Sequence, residues 1–419
     1  MRVRRRALSP AVMTVFSLVG AALVVASNSA VTPLYRLYQQ SMHLTPLMIT
    51  LVYAVYTFSL LAALLTVGGL SDYVGRRPVI LSGLLLNAIA MVLFSYATDV
   101  GQLILARAVQ GLCVGTATPV LGAAILDTDH RRGPLLNSVT AFLGLTAGAL
   151  GAAALVTFAR DPLHLVYEVL FALTALMMVL LFVMPETVSR KAGALASLRP
   201  RVSVPRQSRA ALLRITPASI AAWALGGFYL SLMPTVVATT LGVRAPWVGG
   251  IVVAAPWLSA ALTVGALRQL AARRLLLLGT SGLSLGVVAS LLGIWQHSVA
   301  ALFTGALISG LGLGASLSGS LSALLPTAEA HQRAGLLATF YVLSYLALGL
   351  PALVAGASVP LIGLDIVAYV YGAVVIVLAI ISLIASLRSI GNAADEGVVE
   401  KEGFGLPFRR WSILLCPML

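Results

Sequence analysis

Twelve separate runs of mostly apolar residues, each about 20 residues or longer, divide this 419-residue chain. They lie at 11–34, 46–68, 78–97, 101–125, 135–158, 165–184, 215–241, 247–267, 275–294, 299–324, 335–358 and 364–387. A helix needs roughly 20 apolar residues to cross the hydrocarbon core of a bilayer. Only 10% of the chain is charged, against about 25% in a soluble domain, so there are too few charges to coat a water-facing surface of this size. The pattern predicts an all-α membrane protein with twelve transmembrane helices.

The placement of the charges predicts how the chain is threaded. With the N-terminus in the cytoplasm, 23 of the 27 Lys and Arg fall in cytoplasmic segments. Three, Arg36, Arg160 and Arg244, fall in outer loops, and Arg107 alone lies inside a span. Basic residues concentrate on the cytoplasmic side of membrane proteins. The formal net charge of +14 is then explained by contact with anionic lipid, and no nucleic-acid partner is called for. Arg2 to Arg6 followed by an apolar run also fits a cleavable leader. Cleavage would leave eleven spans, so this run is read as the first helix. Cys113 and Cys416 are too far apart in sequence to suggest a disulfide framework. No Cys/His cluster has metal-ligand spacing, and no nucleophile motif or phosphate-binding loop is visible, so no metal, cofactor or enzymatic activity is expected.

The stretch 191–214 is basic and carries Pro200 and Pro205. It reads as a cytoplasmic linker between an N-terminal half, 1–190, and a C-terminal half, 215–390, with a cytoplasmic tail at 391–419. Two echoes support duplication. GGLSDYVGRRP at 68–78 aligns with GALRQLAARR at 265–274, and QGLCVGTA at 110–117 aligns with SGLGLGAS at 309–316. Each pair occupies matching places in the two halves, which predicts two pseudo-symmetric six-helix bundles, a form common among carriers.

The segment at 68–78, with Gly68, Leu70, Asp72, Gly75, Arg76 and Arg77, resembles the loop motif of the major facilitator superfamily. Arg107, Gln110, Gly111 and Gly115 resemble a second motif of that family, and Pro185-Glu186-Thr187 is similar to its common ending after the sixth helix. In drug-proton antiporters a glycine-proline motif marks the fifth helix. Here GLTAGALGAA at 144–153 has the glycines, but Ala149 stands where proline is expected. The resemblance implies that Asp72 faces the N-terminus of the eleventh helix near Gly335, where an anion is stabilised, and so gates the cytoplasmic side. Arg76 and Arg77 are expected to pair with Asp127. It also implies that helices one, four, seven and ten line the cavity.

Arg107 is costly in hydrocarbon, roughly 2.5–3.5 kcal/mol by insertion scales. It is expected to face the interior together with Gln110, setting proton coupling or holding substrate. Glu168 and Asp365, near the outer ends of the sixth and twelfth helices, are the candidate titrating groups, with Glu168 the expected partner of Arg107. Candidate cavity residues are Asn28, Tyr53, Tyr56, Trp223, Tyr229, Tyr341 and Tyr345. The expected function is alternating-access, proton-linked export of small amphipathic compounds across an inner or plasma membrane. Uptake of a sugar or organic acid is the alternative, and a non-transporting receptor a lesser one. The expected partners are a small-molecule substrate, protons and the bilayer, with the carrier acting as a monomer.

Overall fold

The computed structural model describes residues 10–395 except positions 201 and 244. The basic N-terminal residues, Arg201, Arg244 and the tail beyond 395 lie outside the described residues, and with them the reading of that tail. Twelve described helices are long and apolar enough to cross a membrane. We number them α1 (Pro10–Ala30), α2 (Pro46–Val67), α3 (Arg76–Ser95), α4 (Val100–Thr128), α5 (Gly133–Phe158) and α6 (Pro162–Leu181) in the first half. The second half holds α7 (Arg209–Ser231), α8 (Pro246–Ala266), α9 (Ala272–Trp295), α10 (Val299–Leu324), α11 (Arg333–Ile362) and α12 (Leu364–Asp395). We call the end bearing Arg76 and Arg77 the inner end, following the charge pattern, and the opposite end the outer end.

Local chemistry places several helix starts. Thr45 caps α2 by accepting the Met48 amide at 3.3 Å, and Asp99 caps α4 by accepting the Gln102 amide at 3.0 Å. Such side chains satisfy amides that a helix start leaves without partners. Pro134, Pro162 and Pro246 sit in the first turns of α5, α6 and α8, where no amide hydrogen is needed. Val370, Val374, Val377 and Ile381 form an exposed apolar stripe along α12, as lipid contact requires.

Two of the expected spans are broken. The run at 11–34 ends its helix at Ala30, turns, and resumes as a short helix, Tyr35–Met42. The run at 215–241 ends α7 at Ser231 and resumes as Met233–Thr239. Pro33 and Pro234 stand at the two breaks, because proline has no amide to donate and clashes with the preceding turn. Hydropathy is blind to this, since the residues on both sides are apolar.

The duplication is built into the packing. Gly111 and Gly115 press α4 onto the backbone of α2 at Tyr56 and Leu60. Their counterparts Gly310 and Gly314 press α10 onto α8 at Pro256 and Ala260. A Cβ at any of the four would collide with those carbonyls, which is how small residues bring spanning helices close.

The halves meet at their outer ends. Gly356 of α11 lies against Thr50 of α2, and a Cβ at Gly349 would sit 3.2 Å from Thr57. Gly250 of α8 lies against Ala153 of α5. Between α1 and α7, the Thr32 hydroxyl donates to the Leu230 carbonyl at 3.0 Å. Toward the inner end a separate apolar cluster joins Leu64 of α2 to Leu212, Ile215, Phe340 and Tyr341.

Candidate functional site

The early end of α1 shapes the centre of the first half. A helix leaves its last four carbonyls without amide partners. Those of Ser27 and Asn28 point at α4. Gln110 Nε2 donates to the Ser27 carbonyl at 2.9 Å, and Arg107 Nη1 reaches the Asn28 carbonyl at 3.4 Å and its side-chain Oδ1 at 3.1 Å. Arg107 and Gln110, three residues apart on α4, also bond each other at 2.6 Å. The turn at Pro33 then swings Tyr35 inward, and its hydroxyl accepts from Arg107 Nη2 at 2.6 Å.

Arg107 is fully buried and does not reach for the outer surface. The faces of Tyr35, Tyr56 and Phe94 stand 5.3–5.7 Å from its guanidinium, within range of cation–π attraction. Its Nε has no acceptor, and the Tyr53 hydroxyl is also buried without a partner. Beyond this shell, Tyr38 donates to Tyr167 at 2.9 Å, Phe94 stacks on Tyr167, and Asn87 bridges Ser27 and Thr174.

The expected carboxylate partner of Arg107 is not there. Glu168 lies on the exposed face of α6, one residue from the inward-facing Tyr167. Successive positions on a helix point about 100° apart, so the two cannot share a face. Asp365 is also exposed, and it accepts the Thr240 hydroxyl at the outer rim.

The remaining aromatic candidates divide into groups. Tyr53 and Tyr56 sit beside Arg107. Trp223 meets Tyr345 edge-on at 5.2 Å, with Tyr341 one turn away. Tyr229 is buried against Ser290, 3.2 Å from its hydroxyl, and so faces α9.

At the inner end, the loop motif is organised around Arg76 rather than Asp72. Gly68 ends α2, and Leu70 precedes the single turn Ser71–Val74. Arg76 is buried and binds Asp72 at 2.5 Å, Ser71 at 2.6 Å and Asp127 at 3.0 Å. Asp72 is therefore held within its own loop, its side chain 52% exposed, instead of capping α11 near Gly335. Arg77 does not join Asp127 but donates to the Phe182 carbonyl at 3.1 Å.

Glu186 does more than mark the end of the sixth helix. Its carboxylate accepts the first two amides of α3, from Arg76 at 2.7 Å and Arg77 at 3.1 Å. This is a helix N-terminus satisfied by a distant anion. Gly75 makes room for it: its φ is +98°, and a Cβ there would sit 2.6 Å from Glu186 Oε2. Tyr35, Phe94, Asn87 and Tyr167 also escaped notice. Tyr35 lay just outside the first expected span, and the others carried no motif.

The folded chain thus places a buried arginine between α1 and α4 and a charged clasp at the inner end. A sequence profile described as the Major Facilitator Superfamily matches residues 17–286, which contain both. The chain belongs to the major facilitator superfamily. It is a multi-pass membrane protein of a transporter family. It is similar to the multidrug resistance protein MdtL of Escherichia coli K12, 33% identical over 156 residues, and to MdtL of Citrobacter koseri, 30% identical over the same length. These matches cover 36% of this chain and 39% of each relative. The crystal structure of the human organic anion transporter MFSD10 shares the superfamily fold, with a TM-score of 0.65 and 18% identity over 89% of this chain and 99% of that one.

Proposed function

We propose that this chain exports small amphipathic compounds by alternating access, one half rocking against the other around the buried Arg107. The observation that carries this reading is the guanidinium itself. It is buried, ringed by aromatic faces, and held by neutral groups that a cargo could replace. The aromatic group of Trp223, Tyr341 and Tyr345 offers apolar surface from the second half. The partial likeness to multidrug resistance proteins supports export over uptake. In this reading the protein sits in an inner or plasma membrane with both termini and the 191–214 linker cytoplasmic, and works as a monomer.

The proton linkage lacks its expected carrier. None of the nine Asp and Glu with described side chains is buried, so none lies beside Arg107 to take up a proton there. In this reading export does not require the proton as its driving ion. Reconstitution into proteoliposomes tests the reading: vesicles loaded with amphipathic aromatic compounds should release them faster with the native chain than with Arg107→Ala. Equal release from both, or carrier-dependent uptake of sugars instead, would overturn it.

A further inference from the structure

Arg107 presents a charge that the chain does not neutralise. A buried cation is normally matched by an anion, because desolvating a lone charge costs several kcal/mol. Its acceptors here are an amide, a second amide, a phenol and a backbone carbonyl, all uncharged. The C-terminal end of α1 adds about half a negative charge through its dipole. That leaves a net positive site. The nearby groups lacking partners, Arg107 Nε and the Tyr53 hydroxyl, are both able to donate. What the site lacks is an acceptor with a full negative charge.

We infer that the cargo is a monovalent organic anion and that Arg107 is its charge partner, an assignment that rests on the export reading above. A sulfonate or carboxylate oxygen would displace Gln110 Oε1 and Asn28 Oδ1 from the guanidinium, since it brings a full negative charge where the amides offer only a dipole, and charge attracts charge strongly in a low-dielectric site. The rings of Tyr35, Tyr56 and Phe94, which now face the guanidinium, would pack on the apolar body of the same molecule. A second negative charge would have no second buried cation in the first-half centre to meet it. A cationic cargo would meet repulsion and no carboxylate.

This assignment also supplies a driving force. Moving one negative charge outward runs down the electrical gradient of a membrane that is negative inside. The membrane potential contributes about tenfold in distribution for each 60 mV. Export of a monoanion therefore needs no titrating carboxylate, which accounts for a site without one. Each cycle should move one net negative charge outward.

Three bicyclic probes of similar size test this in proteoliposomes: naphthalene-1-sulfonate, the neutral naphthalene-1-sulfonamide and the cation N-methylquinolinium. A potassium gradient with valinomycin sets the potential, and pH is equal on both sides. The sulfonate should be carried, with a distribution that tracks the potential and is unchanged when a pH gradient is added. Arg107→Gln should lower the preference for sulfonate over sulfonamide by tenfold or more in direct binding. Arg107→Lys, which keeps the charge, should retain most of that preference and guards against a folding defect. Carriage of N-methylquinolinium driven by a pH gradient, with the sulfonate left behind, overturns the anion assignment and leaves the exporter standing. An unaltered sulfonate preference in Arg107→Gln also overturns it. If none of the three is carried, the export reading fails together with the inference.

Discussion

Thr32 of the first half gives its hydroxyl to the Leu230 carbonyl of the second at 3.0 Å. In an unbroken helix that carbonyl would accept the amide of the residue four places on, and that residue is Pro234, which has none. A threonine from the other half thus supplies the missing hydrogen, and does so only while the outer ends are together. Thr32→Val should strand the carbonyl in the closed state, at a cost of about 1 kcal/mol. The expected outcome is more time spent open to the outside. Maleimide labelling of a cysteine at Val237, in a background with Cys113 and Cys416 replaced by Ser, should rise severalfold. Labelling equal to that of the parent would count against the bond as an outer catch.

Closure by contact should respond to side-chain size. Gly356→Ala places a methyl group where Thr50 now sits. Transport should fall sharply while the folded protein stays monodisperse, because the outer ends no longer meet. Thr50→Gly should restore activity in the double variant, as neighbouring positions are expected to couple by about 0.5–3 kcal/mol. Absence of rescue would mean that Gly356 serves some other contact.

Of the two acids on Arg76, the less exposed should matter more. Asp127 is 28% exposed and also accepts the Thr187 hydroxyl at 2.9 Å, whereas Asp72 is 52% exposed. Solvent screens the second pair more strongly. Asp127→Asn should therefore reduce transport and thermal stability more than Asp72→Asn. Measured melting and transport in the two variants decide the order, and the reverse order would restore a special role for Asp72.

Glu186 and Gly75 should behave as a unit. Glu186→Gln keeps the shape but removes the charge that faces the first amides of α3, a loss of about 0.5–2 kcal/mol. Gly75→Ala should be worse, since it both opposes the positive φ and displaces the carboxylate. Placing Gly75→Ala on top of Glu186→Ala should then cost less than it does in the native chain, read as the shift in melting temperature.

Most of the architecture could be read from the residues alone, because crossing a membrane imposes a length and a polarity on every segment. Helix number and the matched glycines at 111, 115, 310 and 314 follow from local pattern. Arg107 and Gln110 were visible for the same reason: a charge in an apolar run stands out. What stayed hidden depended on rotation and distance. Whether Glu168 or Tyr167 faces inward is a matter of 100° around α6, which a helix of mixed apolar residues does not reveal. Glu186 meets Gly75 across 111 positions of chain, and only the fold brings them together. Tyr35 was obscured by a break that leaves no trace in hydropathy.

The first half is braced at its inner end and joined to the second at its outer end by different forces. The clasp of Arg76, Asp72, Asp127 and Glu186 ties elements of the first half to one another and is built of charge, on which ionic strength acts. The contacts that join the halves at the outer end, Gly356 on Thr50 and Gly250 on Ala153, are built of shape, and salt does not alter the size of a methyl group. With the N-terminus cytoplasmic, as proposed, that end faces a cell exterior whose salt content varies. In that orientation the seam between the halves is one that such changes do not loosen.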